Sequence, residues 1–338
     1  MIASIIGAVV LAAAAPPHPK GYVCPRAAHP PKIDGRLSDP AWQRAQWTDF
    51  FVDIEGGSKP KPRFRTRAKM LWDDQFLYIG AELEEPRPWA TLTAHDSVIF
   101  RDHDFEVFLD PDSDSHNYFE FEINALNTSW DLFLPKPYKD GGSADNSWEI
   151  PGLKTAVHID GRLNYPAKRS RKWTVEIAFP WDAFSHLGYR APKPHNGDQW
   201  RINFSRVEWL TRSVNGKIEK VPDTKEDNWV WSPQGKVNMH LPEYWGYVQF
   251  EKSASVPFRK DPLWELRMRL QDLYEAQVAF KKQSGRWAAT IEELGLPPAS
   301  IDFETTPSGW QASAVHSGVR VIIHQDARLS IENPSPRL

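Results

Sequence analysis

The feature that most constrains this chain is a repeated alternation in which every second residue is apolar. Four stretches share it, at residues 77–83, 105–109, 119–123 and 173–179. A period of two places the apolar residues on one face of a strand, so each stretch predicts a strand with one buried face. Several such strands separated by turn signals, with no regular alternation of helices and strands, favour an antiparallel β-sandwich over a doubly wound α/β fold.

One predicted strand departs from this regularity, because charged residues follow the apolar ones. Trp200, Ile202 and Phe204 would share one face of that strand. A regular strand would put Arg206 and Glu208 on the same face. Two interpretations remain: a β-bulge turns the charged pair to the other face, or the pair lines the end of a concave face and contacts a ligand.

After about residue 251 the pattern becomes typical of a small α+β domain. Apolar residues at helical spacing predict an amphipathic helix that ends before Gly285. Thr290 and Glu293 form a predicted capping box for a short second helix, with Thr290 as its N-cap. The two helices are expected at 263–283 and 290–294, and short strands at 309–315, 319–325 and 328–332.

The first 15 residues are almost wholly apolar, which is typical of the hydrophobic region of a secretory signal peptide. They are too few for a membrane-spanning helix, which needs about 20 apolar residues. We therefore expect an exported protein, periplasmic or extracellular, without a membrane span in its mature form. The expected segments are a signal peptide at 1–15, a Pro-rich leader at 16–31, a β-sandwich at 32–251, a linker at 252–262 and a small α+β domain of unknown role at 263–338.

Charge and cysteine content exclude several classes of function. Lys and Arg number 41 against 44 Asp and Glu, a net charge of −3, so the chain lacks the basic excess of a nucleic-acid-binding protein. Its one cysteine, Cys24, excludes an internal disulfide framework and a multi-cysteine metal site. The sequence contains no serine-hydrolase, zinc-protease or phosphate-loop motif, and we therefore expect a protein without catalytic activity.

An acidic turn is the candidate cation site. Asp110, Asp112 and Asp114 alternate there, and hard cations such as Ca²⁺ prefer carboxylate oxygens. The turn is not an EF-hand loop, since Ser115 and Phe121 stand where that loop has its glycine and its last glutamate. The alternative is a solvated acidic turn between two strands.

Tryptophan is the clearest compositional signal, with 16 residues in the chain. Aromatic rings stack on the flat C–H faces of sugars, and sugar hydroxyls pair with planar polar side chains such as Asp, Asn and Arg. Trp209, Trp229, Trp231 and Trp245 lie near the end of the β-rich region. They are either ligand platforms or parts of the sandwich core.

Five segments resemble, in order, the strand motifs of carbohydrate-binding module family 9 and its DOMON-like relatives. The first, at 32–42, reads KIDGRLSDPAW, and the last, at 245–250, reads WGYVQF. Between them lie 69–79, 102–110 and 173–181, which read KMLWDDQFLYI, DHDFEVFLD and WTVEIAFPW. The resemblance implies an antiparallel β-sandwich that binds sugars, often at chain ends, with structural calcium. It also implies a role beside secreted glycan-degrading enzymes.

The resemblance suggests where a sugar would bind. In the sugar-binding members two aromatic rings form a clamp; Phe100 falls at the first position, and Met239 or His240 at the second. Glu106 matches the family's polar glutamate, and Glu122 stands where those members have an arginine. The candidate carbohydrate-binding residues are Phe100, Arg101, Asp104, Glu106, Asn124, Arg206, Glu208, Trp209, Asn238 and His240.

Two other functions remain open beside carbohydrate binding. Because DOMON-like relatives include haem-binding redox modules, Met239 and His240 are candidate axial haem ligands, although we expect calcium rather than haem. The other alternative is a scaffold without a small ligand, whose C-terminal domain docks an envelope partner through its amphipathic helix.

Overall fold

The computed structural model describes residues 16–185, 193–296, 300–306 and 309–332. The predicted signal peptide at 1–15 lies outside this range. The described residues divide into two compact units, one of Pro19–Arg259 and one that begins at Lys260 and includes residues 16–18. The division falls inside the predicted linker.

The larger unit consists of β-strands joined by long connections. The alternating stretches lie within four of these strands, so the four strand predictions are confirmed. Among its described residues the strands are β1 Gly21–Pro25, β2 Val52–Asp53, β3 Thr66–Trp72, β4 Phe76–Glu84, β5 Asp104–Asp110, β6 Tyr118–Asn124, β7 Ser129–Leu134, β8 Lys154–Asp160, β9 Lys172–Pro180, β10 Gln199–Glu208, β11 Thr211–Val214, β12 Lys217–Lys220, β13 Asp227–Val230 and β14 Gly246–Glu251. Short 3₁₀ helices occur at Pro40–Arg44, Ile99–Arg101, Tyr138–Asp140, Trp181–Phe184 and Pro242–Tyr244.

Two sheets of this unit share one hydrophobic core. The larger sheet has the order β1-β14-β10-β5-β6-β7, with β13 pairing β10 and β2, and the second has the order β3-β4-β9-β8. Phe105 and Phe121 of the larger sheet and Ile79 and Ile177 of the second belong to the same buried cluster. Neighbouring strands within both sheets are antiparallel except for β1 and β14. The predicted antiparallel β-sandwich is therefore confirmed.

The segment predicted as a separate leader, 16–31, contributes a strand to the sandwich. β1 runs parallel to β14, with Cys24 opposite Phe250. Cys24 is a free thiol, fully buried in the core. The sandwich thus begins before residue 32, and a strand of five residues beside prolines was too short for its alternation to be recognised.

The first of the five motifs wraps around one buried carboxylate. Glu176 of β9 accepts hydrogen bonds through Oε2 from the backbone N–H groups of Asp34 and Gly35, each at 2.7 Å. Its Oε1 accepts from the Leu37 N–H at 3.0 Å and from the Trp42 indole at 2.8 Å. Gly35 has a φ of 79°, and a Cβ there would lie 2.6 Å from the backbone of β8. The motif is therefore structural, since it fixes the N-terminal segment on the second sheet.

The smaller unit has the predicted α+β composition. Helix α1, Trp264–Ser284, ends at Gly285, whose φ of 76° is the left-handed conformation that glycine adopts readily. Leu270 and Leu273 of α1 share a buried cluster with Val321. Its antiparallel sheet consists of β15 Asp302–Thr306, β16 Gly309–His316, β17 Val319–His324 and β18 Leu329–Glu332. Within the described ranges, no helix has both the length and the apolar composition that a bilayer crossing requires.

The predicted second helix is only a 3₁₀ turn, Glu292–Leu294. Its N-cap is Ile291 rather than Thr290, and no side-chain capping bond forms, so the predicted capping box is wrong. Glu293 instead accepts hydrogen bonds from Arg286 at 2.8 and 3.0 Å. A salt bridge thus takes the carboxylate that the box required.

Candidate functional site

The face of the larger sheet that points away from the core carries a row of carboxylates. In the antiparallel register of β5 and β6, Glu106 lies opposite Glu122, and Asp104 lies opposite Asn124. Glu120 is two residues from Glu122 on β6 and therefore points to the same face. We call Asp104, Glu106, Glu120 and Glu122 the outer acid cluster.

A groove with a cavity volume of about 320 Å³ opens above this cluster. Buried carboxylates form its floor, and partly exposed aromatic rings form its rim. Its acidic lining residues are Glu106, Glu120, Glu122 and Glu226; its aromatic ones are Phe100, Trp130 and Tyr138; and its amide and imidazole groups belong to Asn228, Asn238 and His240.

Burial makes the floor of the groove electrostatically unfavourable for ionised acids. It raises the pKa of Glu106 from 4.5 to about 7. Burial first, and then repulsion from Glu106, raises the pKa values of Asp104, Glu120 and Glu122 well above their ordinary range. Like charges held close together in a site of low dielectric constant do not all ionise. The outer acid cluster therefore retains protons at neutral pH unless a cation takes their place.

No lysine or arginine lines the groove in the part of the chain that the structure describes. The imidazole of His240 does reach it, with Nδ1 3.0 Å from the Tyr118 hydroxyl and Nε2 3.7 Å from Glu120 Oε2. Burial lowers the pKa of His240 to about 4, so this ring is neutral at neutral pH. It therefore does not compensate the acids.

The same contacts bear on the haem alternative. Both nitrogens of His240 face protein groups, and Met239 packs beside Trp245 in a small hydrophobic cluster. Side chains engaged in this way are not free axial ligands, so the geometry gives the haem hypothesis no support.

Aromatic rings form the more exposed part of the groove. Phe100 is 37% exposed and Tyr138 is 45% exposed. The rings of Phe100 and Trp130 lie 6.4 Å apart with an interplanar angle of 30°, and Tyr138 lies edge-on to His240 at 4.4 Å. Exposed rings beside hydrogen-bond acceptors match the apolar faces and hydroxyl edges of a sugar.

The structure brings part of the predicted carbohydrate site together. Asp104 contributes one carboxylate oxygen that lies within 4.8 Å of oxygens from Glu106 and Glu122. Four of the predicted residues line the groove itself: Phe100, Glu106, Asn238 and His240.

Among the lining residues that sequence reasoning did not place in the site are Glu120, Trp130, Tyr138 and Asn228. Glu120 could have been found, because it occupies a polar position in the alternation of β6. The remaining three lie outside the recognised motifs, and no signal in the sequence distinguishes them from other aromatic and amide residues.

Three predicted residues surround the groove without lining it. The Asn124 amide donates to Asp102 Oδ2 at 3.1 Å and is fully buried. The Trp209 indole donates to the carbonyl oxygen of Phe100 at 2.9 Å. Arg101 is exposed beside Phe100. Trp209 therefore positions the backbone that carries the first aromatic residue of the groove.

Arg206 and Glu208 lie on the opposite face of the sheet from the groove, which corrects their prediction as ligand contacts. The register of β10 is continuous to Glu208, so no bulge occurs and both side chains continue the core-facing row. Arg206 Nη2 donates to Glu85 Oε2 at 2.7 Å and to Glu208 Oε2 at 2.8 Å. His103 Nδ1 lies 3.4 Å from Glu85 and 3.6 Å from Glu208. We call these four residues the inner ion cluster.

Opposite charges compensate one another in the inner ion cluster. Burial disfavours ionisation of Glu85, but the hydrogen bond and charge of His103 and the charge of Arg206 outweigh it and lower the pKa of Glu85 to about 2. Burial likewise disfavours the charged form of His103, yet Glu208 and Glu85 raise its pKa above the ordinary value. Burial raises the pKa of Glu208 to about 7, although the charges of His103 and Arg206 oppose the shift. The two acids thus lie against two basic groups of this chain, which the outer acid cluster lacks.

Three of the four late tryptophans belong to hydrophobic clusters. Trp229 and Trp231 are buried in the sandwich core. Trp245 is fully buried beside Phe108 and Tyr118 on the outer side of the larger sheet. Trp229 and Trp231 are therefore parts of the sandwich core, and Trp245 is buried in a separate hydrophobic cluster, so none of the three is an exposed ligand platform.

The acidic turn between β5 and β6 forms a compact group of ligands. One oxygen each from Asp110, Asp112 and Asp114 lies within 4.8 Å of the other two. The oxygens of the buried Asp110 accept hydrogen bonds from the N–H groups of Ser113 at 2.9 Å and Ser115 at 3.0 Å. Burial, and then the two neighbouring aspartates, raise the pKa of Asp110 well above its ordinary range. Three carboxylates on one turn are a donor set that fits a hard cation.

The fold is a β-sandwich with an acidic and aromatic groove on the outer face of its larger sheet. The family described as Carbohydrate family 9 binding domain-like matches residues 33–250, which is most of the larger unit. The chain belongs to this family. The family resemblance carried by the five motifs is thus confirmed.

Two relatives among curated proteins are glycan-degrading enzymes by name. Exoglucanase XynX of Acetivibrio thermocellus is 25% identical over 159 residues, which is 46% of this chain and 12% of that protein. Endo-1,4-beta-xylanase C of Paenibacillus barcinonensis is 29% identical over 101 residues, which is 30% of this chain and 8% of that protein. The chain therefore spans only about a tenth of the length of these relatives.

Solved structures align with about 70% of this chain. A Bacteroides uniformis protein that carries the provisional description of a carbohydrate-binding protein aligns over 69% of this chain and 100% of its own, with 14% identity and a TM-score of 0.51. A family 9 module from Caldicellulosiruptor kristjanssonii, solved in complex with cellotriose, aligns over 71% of this chain and 100% of its own, with 18% identity and a TM-score of 0.42.

Proposed function

We propose that this protein binds carbohydrate without breaking it down, and that the groove on the larger sheet is the binding site. The observation that carries the proposal is one groove of about 320 Å³ that combines partly exposed aromatic rings with buried carboxylates. Membership of a carbohydrate-binding family supports the same class of ligand.

The proposed recognition follows from the chemistry of a pyranose ring. Its apolar face would pack on Phe100, while its hydroxyl groups would donate hydrogen bonds to Glu106 and Glu122. Phe100 and His240 both line the groove, so both positions that the resemblance assigns to the clamp face the same space, with an imidazole as the second ring. Glu122 presents acceptors where the characterised members present an arginine.

Binding of the full chain to xylo-oligosaccharides and cello-oligosaccharides, measured by calorimetry, tests the proposal. We expect Phe100→Ala to weaken binding by at least about tenfold, because a stacked ring contributes more than about 1.4 kcal/mol. The backbone N–H of Phe100, which donates to Glu122 at 2.8 Å, remains in this variant.

Phe50→Ala is the matched control, because Phe50 is 45% exposed and does not line this groove. It should bind as the wild type does. Absence of binding to any oligosaccharide at millimolar concentration, or equal binding by wild type and Phe100→Ala, would show the proposal to be wrong.

We further propose that the protein is exported and acts beside glycan-degrading enzymes. The apolar first 15 residues and the names of the curated relatives support this role. Cell fractionation with N-terminal sequencing of the mature protein tests export. Recovery of the uncleaved chain in the cytoplasm would contradict it.

We also propose that Asp110, Asp112 and Asp114 bind a structural Ca²⁺ ion. The compact arrangement of their oxygens supports the proposal. Calcium at about one hundred times its dissociation constant would stabilise the fold by about 2.7 kcal/mol. Thermal unfolding in Ca²⁺ and in EDTA should show this shift for the wild type and a smaller one for Asp112→Asn. An equal shift in both proteins would contradict this assignment.

A further inference from the structure

The outer acid cluster has a feature that sugar binding alone does not explain, because oxygens of Asp104, Glu106 and Glu122 converge within 4.8 Å of one another beneath the groove. We propose that Asp104, Glu106 and Glu122 hold a divalent metal ion, with Ca²⁺ as the best match, and that sugar hydroxyls complete its coordination. The inference deepens the proposed function and rests on it, since the ion would sit on the floor of the same groove.

The distances fit a single ion. One oxygen from each of the three side chains lies within 4.8 Å of the other two. Calcium binds oxygen at about 2.3–2.6 Å, so oxygens on opposite sides of one ion lie up to about 5 Å apart. Glu106 and Glu122 face each other across β5 and β6, and Asp104 is two residues along β5 on the same face. Rigid neighbouring strands therefore hold all three ligands.

An unpartnered buried atom marks the same place. Asp104 is fully buried, and its Oδ1 accepts a hydrogen bond from the Val207 N–H at 2.8 Å. No N–H or hydroxyl group of the described residues donates to its Oδ2, and a proton held by one of the two acids joins Asp104 and Glu106 in a hydrogen bond only while that acid is not ionised. A buried carboxylate oxygen without a donor is costly, which points to a cationic group at this position when the site is filled.

The inner ion cluster shows how this protein neutralises buried acids from within. There Arg206 donates to Glu85 and Glu208 at 2.7 and 2.8 Å. The outer acid cluster has no such partner, since the described lining of the groove contains no lysine or arginine and His240 is neutral. The outer acids therefore ionise together only when a bound cation supplies the opposite charge.

A divalent ion suits the three carboxylates better than a single ammonium group does. Three ionised acids carry three negative charges, of which an ammonium group cancels one and Ca²⁺ cancels two. The ligand atoms are all carboxylate oxygens, which calcium prefers, and Glu106 and Glu122 border the open groove where hydroxyl groups or water can complete the coordination. An amino sugar bound through its ammonium group is the competing occupant.

Calorimetric titration of the EDTA-treated full chain with CaCl₂ at pH 8 tests the metal site. The double variant Glu106→Gln and Glu122→Gln should lose the groove site, with affinity reduced by at least about tenfold, because two of three charged ligands become neutral. Glu226→Gln is the matched control, since Glu226 lines the groove outside the three ligands. Asp112→Asn keeps the groove site and separates it from the acidic turn. Circular dichroism verifies folding of each variant.

If the double variant binds Ca²⁺ as the wild type does, the metal site is overturned. Loss of groove-site binding in the double variant, with retention in Glu226→Gln, supports it. A folding defect in the double variant would be resolved with Glu122→Gln alone, for which the same two outcomes apply.

Oligosaccharide titrations in CaCl₂ and in EDTA separate this inference from the proposed function. Binding that needs calcium supports both. Calcium binding at the groove without oligosaccharide binding supports the metal site and overturns the proposed function. Equal oligosaccharide binding in EDTA, or EDTA-insensitive binding of glucosamine oligomers that Glu106→Gln abolishes, overturns the metal-bridged recognition and leaves carbohydrate binding intact.

Discussion

Two groups of buried acids occupy opposite faces of the larger sheet, and the protein surrounds them differently. The inner ion cluster places Glu85 and Glu208 against Arg206 and His103, at distances of 2.7 to 3.6 Å. The outer acid cluster places its four carboxylates against one another beneath an open groove. The side chains of both groups are buried. The two groups therefore differ in whether basic side chains lie beside the acids.

The inner ion cluster has the composition of a structural ion network, and the outer acid cluster belongs to the proposed binding site. In the inner cluster the basic neighbours lower the pKa of Glu85 to about 2 and oppose the rise that burial causes for Glu208, whose pKa is about 7. Buried acids without a neighbouring positive charge have raised pKa values, and they favour binding of a cation or a hydrogen-bond donor.

The largest expected effect is on the inner ion cluster. Arg206→Met leaves Glu85 and Glu208 buried without their shared donor, and we expect a loss of about 3–5 kcal/mol in the free energy of unfolding. Urea denaturation measures it. Arg65→Met is the control, because Arg65 pairs with Glu84 at an exposed position and should change stability by less than about 1 kcal/mol. Similar losses in the free energy of unfolding for both variants would show that the inner ion cluster contributes no more to stability than an exposed ion pair does.

The corresponding change in the outer acid cluster should act in the opposite direction. Glu106→Gln removes a charge that burial disfavours, so the metal-free protein at pH 8 should gain about 1–3 kcal/mol. Urea denaturation in EDTA measures the gain, with Glu226→Gln as a control that should be nearly neutral. A destabilised Glu106→Gln protein would indicate that the outer acids are already compensated.

The two clusters should also differ in their pH dependence. The pKa of Glu106 is about 7 in the folded protein, against 4.5 for an ordinary glutamate. The loss of folding stability that ionised Glu106 causes is therefore absent below about pH 4.5 and grows as pH rises through 7. Glu85 has a folded pKa of about 2, so its contribution to stability is complete above 4.5 and is lost as pH falls towards 2. Melting temperatures measured in EDTA from about pH 2 to pH 8 report both changes in stability, the one near pH 7 and the one below pH 4.5. In Glu106→Gln the change in stability near pH 7 should become smaller but not vanish, because Glu208, whose pKa burial raises to about 7, still titrates there; the loss of stability at low pH should persist.

The smallest expected effect concerns the rim of the groove. Trp209→Phe removes the indole bond to the carbonyl oxygen of Phe100, which should cost about 0.5–1.5 kcal/mol. Because that bond positions Phe100, oligosaccharide affinity should fall by more than the loss of stability alone explains. Calorimetry at a temperature where the variant is fully folded checks this, and unchanged affinity would assign Trp209 a purely structural role.

Much of the fold could be predicted from the sequence. The alternation in β5 and β6 reflects a local rule, that successive side chains of a strand point to opposite faces, and it identified these strands. The same rule could have placed Glu120 beside Glu122. It did not identify β1, whose pairing with β14 joins residues that are far apart in the chain.

The candidate site was predictable only where it follows the strands. Asp104 and Glu106 belong to a recognised motif, and Phe100 directly precedes it. Trp130 and Tyr138 reach the groove from β7 and the 3₁₀ helix at Tyr138–Asp140, and which side chains meet there depends on how these segments fold back over the sheet.

By itself, the sequence determined which segments become strands and which family the sandwich belongs to, because the alternation and motifs are properties of neighbouring residues. Only the tertiary structure decided which acids have a partner. Arg206 donates a hydrogen bond to Glu85, which lies 121 positions away in the chain, whereas Asp104 and Glu106 lie beside acids of the adjacent strand. Charge compensation depends on distances of a few ångströms between remote residues, and those distances exist only after the sheets have packed.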